Sequence, residues 1–113
     1  MSEILINERT YSYSAIREGN YNPEIQAEKE VLNFMKAWLN GQMEFTIFTS
    51  GSTGAPKSIT VSRSQMSLSA KKTGLFLNLK KGDTALICLS PEHIAGKMML
   101  VRSLVLELKT LHI

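Results

Sequence analysis

One cysteine stands among 113 residues, so no disulfide can close within the chain and cystine-stapled secreted scaffolds are excluded. That residue, Cys88, lies in the apolar run 85–89, where the expectation is an inert thiol packed in the core. Charge of one sign is also scarce. Thirteen Lys and Arg against ten Asp and Glu leave +3, and the cations are scattered along the chain, which offers little to a nucleic acid. No long hydrophobic run exists: the stretch 98–108 is broken by Arg102, Ser103 and Glu107, far short of the ~20 residues that a bilayer requires, so no membrane span is expected. The opening Met-Ser-Glu-Ile-Leu-Ile-Asn-Glu carries acid where a signal peptide needs base, and the expectation is a soluble cytoplasmic protein. What remains, 43% hydrophobic and 20% charged residues with a mean hydropathy of -0.05, suits one globular domain with a modest core.

Periodicity divides this domain into a short strand and turn region, 1–22, and an α/β core, 23–113. Residues 3–6 and 10–16 flank Asn7-Glu8-Arg9 and read as a small hairpin or as a strand followed by a turn. Asn22-Pro23-Glu24 has the form of a helix start, with Ile25, Glu28, Leu32, Met35 and Leu39 at helical spacing on one face and a stop at Asn40-Gly41. Residues 43–49 and 58–61 read as strands, and Ser62-x-x-Gln65 as a capping box opening a helix to about Leu77. Residues 83–89 are apolar enough for a strand covered on both faces; Ser90-Pro91-Glu92 then predicts a third helix, capped by Ser90 and running over about 93–108, before strand character returns at 110–113. This order predicts an α/β fold with a mixed or mostly parallel sheet and flanking helices. Residues 110–113 are expected to leave an unpaired edge, which favours a homo-oligomer.

The chemistry is concentrated in Thr49-Ser50-Gly51-Ser52-Thr53-Gly54-Ala55-Pro56-Lys57. Four hydroxyl residues, two glycines and one lysine share these nine positions. Glycine lets backbone N–H groups approach an anion, hydroxyls add donors, and an ammonium offsets phosphate charge. A tolerant surface turn is the alternative, although a turn between two strands needs only about two to five residues. A Walker A loop is excluded, because Pro56 stands where glycine should precede Lys57 and strand-like residues follow instead of a helix.

Those nine residues resemble the Thr-Ser-Gly-Ser-Thr-Gly-x-Pro-Lys signature of the adenylate-forming enzymes, which include acyl-CoA synthetases and luciferases. Downstream, Ser90-Pro91-Glu92-His93-Ile94-Ala95-Gly96 is similar to the family's proline, histidine and glycine segment. The two matches span 43–113. The resemblance implies the N-terminal part of the family's large domain and a two-step ligase. A carboxylate attacks the α-phosphate of Mg-ATP, and coenzyme A then displaces AMP. Partners are thus a small carboxylic acid, ATP, Mg2+ and coenzyme A. It also implies that Ser50, Gly51, Ser52, Thr53, Gly54 and Lys57 hold the β- and γ-phosphates, that Thr49 anchors the loop, that His93 lies near the acyl carboxylate, and that Gly96 permits close approach of substrate or backbone. No catalytic base and no metal ligand is assigned.

The family's Tyr-Gly-x-Thr-Glu segment with its Mg-holding acid, its ribose-binding aspartate and its late adenylation lysine have no counterpart in this sequence. The expectation is therefore an N-terminal fragment, inactive by itself. The short front before residue 49 and the run Leu89-Ser90-Pro91-Glu92-His93-Ile94-Ala95-Gly96-Lys97-Met98-Met99 look most like the compact o-succinylbenzoate:CoA ligases of menaquinone biosynthesis. A non-catalytic phosphate-binding module and a structural α/β domain are the competing readings. His112 and Trp38 are expected to be structural.

Overall fold

A computed structural model of the chain describes residues 3–49, 54–55 and 57–113. Strand β1 (Glu3–Ile6) pairs antiparallel with β2 (Arg9–Ser12) across a turn in which Asn7 and Glu8 take positive φ, 44° and 74°. The second strand stops earlier than the expected residue 16. Ser12 accepts a hydrogen bond on Oγ from Ala15 N–H, at 3.1 Å, and so caps α1 (Tyr13–Glu18), which ends at Gly19 with φ 76°. Local capping overrides the strand pattern there.

Helix α2 (Gln26–Leu39) begins later than Asn22-Pro23-Glu24 suggested. Ile25 occupies the cap position without a side-chain bond, and Pro23 is buried ahead of the helix rather than in its first turn. Its core face is Val31, Leu32, Phe34, Met35 and Trp38; Ile25, expected on that face, is exposed. Glu28 is buried on the same helix, and its Oε1 accepts from Asn7 Nδ2 at 3.1 Å, so the hairpin turn supplies a partner for the carboxylate.

Strands β3 (Glu44–Thr49) and β4 (Lys57–Ser62) form a separate antiparallel ribbon. Helix α3 (Arg63–Leu77) follows through the expected capping box: Ser62 Oγ accepts from Gln65 N–H at 3.1 Å, and Gln65 Oε1 accepts from Ser62 N–H at 3.0 Å. Then come β5 (Thr84–Ile87), α4 (Ile94–Val105) and β6 (Lys109–His112). The larger sheet has the order β2-β1-β6-β5, with β1, β6 and β5 mutually parallel and β2 antiparallel at one edge. This is a mixed α/β fold with a mostly parallel sheet and flanking helices.

Three expectations change with this topology. The last strand is interior, hydrogen-bonded on both sides, because β1 returns to it: Asn7 N–H donates to His112 O at 3.2 Å, and Ile113 N–H to Ile87 O at 3.0 Å. The free edges are β2 and β5, so the reason given for self-association does not hold at 110–113. Strand β5 is shorter than 83–89 and is not covered on both faces; Ile87 is fully buried while Leu86 is 58% exposed. Cys88, just past the end of that edge strand, is exposed rather than buried in the core. His112 is buried, with its Nε2 3.2 Å from Leu89 O, as suits a structural residue.

The core gathers Ile4, Ile6, Ile16, Val31, Leu32, Met35, Ile87, Leu100 and Val101 between the sheet and its helices. An aromatic group extends it to the ribbon: the Phe45 ring lies 5.2 Å from Phe34 and 5.6 Å from Trp38, centroid to centroid. That contact fixes the ribbon to α2. Among the described residues, no helix is long and apolar enough to cross a membrane.

Candidate functional site

The glycine-rich segment is a hairpin loop. The ladder from Glu44↔Ser62 to Thr49↔Lys57 brings the two ends of 49–57 opposite each other, so β3 leads into the loop and β4 leaves it with Lys57 as its first residue. Thr49 therefore stands where a loop anchor was expected. Gly54 has φ 89°, in the left-handed region that favours glycine, and a Cβ placed on it would meet nothing within 4 Å. Ser50, Gly51, Ser52 and Thr53 lie outside the described residues, and the contacts expected of them are not placed.

The root of this hairpin is firmly held. Phe45 and Ile47 are buried on one face of β3, while Phe48 and Ile59 face outward. Arg63 N–H donates to Met43 O at 2.7 Å, and its guanidinium donates to Trp38 O at 2.6 Å while lying 4.1 Å from the Trp38 ring centroid. The ribbon is thus clamped at its base, away from the loop.

His93 approaches from the other sheet. It is exposed and caps α4 by position (φ -105°, ψ 156°), three residues beyond Ser90, which was expected to be the cap. Ser90 serves the turn instead: its Oγ accepts from Glu92 N–H at 3.2 Å, and its carbonyl accepts from His93 N–H at 3.5 Å. The reason lies at Gly96. A Cβ there would fall 1.8 Å from Ser90 O, so α4 must start after the turn that its own first residues overlie. Gly96 is buried, and what comes close to it is backbone.

Together these elements enclose a cavity of about 360 Å³ lined by Thr46, Phe48, Glu92, His93 and Lys97. The structure brings His93 to the same cavity as Thr46 and Phe48 of β3, the strand that leads into the loop. Lys97 was missed in the sequence. Its ammonium donates to Pro91 O and lies 5.4 Å from the Phe34 ring centroid, joining the histidine turn to α2. Burial pushes the Lys97 pKa below 10.5, and Glu92 and Glu30 oppose that shift. Its position four residues after His93 was the available signal, since i and i+4 share a helix face. Among the described residues, no group of three or more His, Cys, Asp or Glu side chains is placed to hold a metal ion.

Solved structures with the same arrangement exist. The acyl-CoA synthetase (AMP-forming)/AMP-acid ligase II-like protein from Dyadobacter fermentans DSM 18053 matches with a TM-score of 0.75 and 44% identity, over 83% of this chain and 27% of that one. This likeness supports the adenylate-forming superfamily. The N-terminal domain of FACL13 from Mycobacterium tuberculosis matches with a TM-score of 0.55 and 22% identity, over 61% of this chain and 17% of that one, and shares the fold. The chain therefore spans about a quarter or less of the length of these two solved chains. No family model and no curated protein matches it.

Proposed function

We propose that the chain is the phosphate-gripping portion of an AMP-forming acid:CoA ligase, with ATP, a small carboxylic acid and coenzyme A as reactants and Mg2+ held by groups outside the described residues. The observation that carries this reading is the closure of 49–57 by the Thr49↔Lys57 pair beside a cavity that holds His93. In it, the backbone N–H groups and hydroxyls of Ser50, Gly51, Ser52, Thr53 and Gly54 hold the β- and γ-phosphates. Lys57 offsets the charge that accumulates on departing pyrophosphate. His93 orients the acid's carboxylate by hydrogen bonding, so that its oxygen faces the α-phosphorus. Gly96 acts indirectly, by letting α4 seat the turn that carries His93. The acid is o-succinylbenzoate, an aromatic keto acid with two carboxylates.

The 113-residue chain binds and does not turn over, because loop and histidine without the remaining charge-stabilising groups cannot supply the whole acceleration. Isothermal calorimetry tests the binding. ATP is expected to bind the wild-type chain and to lose about tenfold or more in affinity in Lys57→Ala, the loss of a charge-assisted contact. Absence of binding at millimolar ATP removes the phosphate reading. Acid-dependent exchange of labelled pyrophosphate into ATP, catalysed by the chain alone, would overturn the inactivity. A shift of the His93 ring resonances by benzoate equal to that by o-succinylbenzoate would remove the assigned acid.

A further inference from the structure

At the opposite end of the parallel strands lies a second cleft. Lys81 precedes β5 and Leu108 precedes β6, whereas the turn carrying His93 follows β5, so this cleft sits at the strands' amino ends. Ligands of open α/β sheets ordinarily bind at the carboxyl ends. The volume is about 390 Å³, and Tyr13, Arg17, Trp38, Arg63, Lys81 and Glu107 contribute to its walls. That is room for a small molecule.

Charge is what sets the cleft apart. Three cations face one carboxylate, and that carboxylate is shared: Lys81 Nζ is 3.7 Å from Glu107 Oε2. Neither guanidinium has a carboxylate partner among the described residues. Arg63 is fixed by its stack on Trp38 and its bond to Trp38 O, while Arg17 is exposed at the end of α1 with its side chain unengaged. Two guanidiniums lining one cleft offer forked donors to an oxyanion. Tyr13 adds a phenol to the wall, its pKa raised by burial against the opposing effect of a hydrogen bond with the Thr110 side chain. Leu104 and Leu108 add an apolar wall.

We propose that this cleft is a second anion site, which takes a phosphomonoester on a small apolar body, its dianion held between Arg17 and Arg63. A dianion matches the two positive charges left over after Glu107 is counted; a monocarboxylate leaves one unmet. The occupant also touches the root of the glycine-rich hairpin, because Arg63 is the first residue of α3 after β4 and its N–H holds Met43 O ahead of β3. The site uses none of the residues assigned to ATP.

The test is an amide and guanidinium NMR titration of the full chain with phenyl phosphate, with inorganic phosphate and benzoate in parallel. Saturable shifts are expected at Tyr13, Arg17, Arg63 and Glu107, with phenyl phosphate bound more tightly than either control. Arg17→Gln, a change at an exposed side chain, should weaken phenyl phosphate by about tenfold, the worth of one charge-assisted contact. Lys57→Ala should leave those shifts in place. Shifts confined to 49–57 and lost in Lys57→Ala would assign the anion to the loop and overturn the second site, as would Arg17→Gln without effect. Benzoate or inorganic phosphate binding as tightly as phenyl phosphate would overturn the ligand class.

Discussion

The β3–β4 hairpin and the turn before α4 face one cavity, yet they are held by different means. The hairpin is a local antiparallel ribbon, fastened at its root by side chains: Phe45 against Phe34 and Trp38, Arg63 over Trp38, and the Ser62–Gln65 box. The histidine turn is set by backbone contact between Ser90 and Gly96, with Lys97 as a side-chain clasp. A clamped root fixes where the chain enters and leaves the glycine-rich segment, whereas the backbone contact at Gly96 fixes the direction from which a lone histidine reaches the cavity.

The sharpest way to break this contrast is at the hairpin root. Trp38→Ala removes the ring that Phe45 and Arg63 share, and should cost about 4 kcal/mol in urea unfolding. A loss under about 1 kcal/mol would show that the ribbon does not depend on α2. Gly96→Ala should cost about 3 kcal/mol, since the added methyl meets backbone that cannot rotate away, and the His93 resonances should move with it. Unchanged stability there would place the control of the turn elsewhere. Ser62→Ala removes one half of the capping box and should cost about 1 kcal/mol, with hydrogen exchange quickening in the first turn of α3.

The smallest effect is the pH slope of Lys97. Its folded pKa lies below the unfolded value of 10.5, so between the two the unfolded chain binds the extra proton and stability rises with pH. Wild type should gain on Lys97→Met as pH climbs towards 10.5. A slope of the opposite sign would mean that Glu92 and Glu30 outweigh burial.

Much of this fold was legible in short-range patterns. Ser62-x-x-Gln65 gave the start of α3 because both halves of a capping box lie within one turn. The loop at 49–57 read as a joint between strands because Gly, Ser and Pro interrupt two β-rich runs. Helix starts at Asn22-Pro23 and Ser90-Pro91 misled for a common reason. A proline after a cap-forming residue also suits a packed turn, and burial of Pro23 and the contact of Ser90 with Gly96 decided for the turn. The continuous apolar run 83–89 suggested coverage on both faces, but an edge position exposes Leu86 and Cys88, and no local pattern tells an edge strand from a central one.

By itself, the sequence determined the kinds of elements, the hairpin loop and the residue types within it, since propensity, capping and turn chemistry act over a few neighbours. Tertiary structure alone decided that β1 and β5 enclose β6, that His93 and Phe48 face one cavity, that Lys97 clasps the turn, and that Arg17 and Arg63 line one cleft at the far end of the sheet. Those pairings join residues distant along the chain, and their partners are chosen by packing and charge in space, which one-dimensional spacing does not carry.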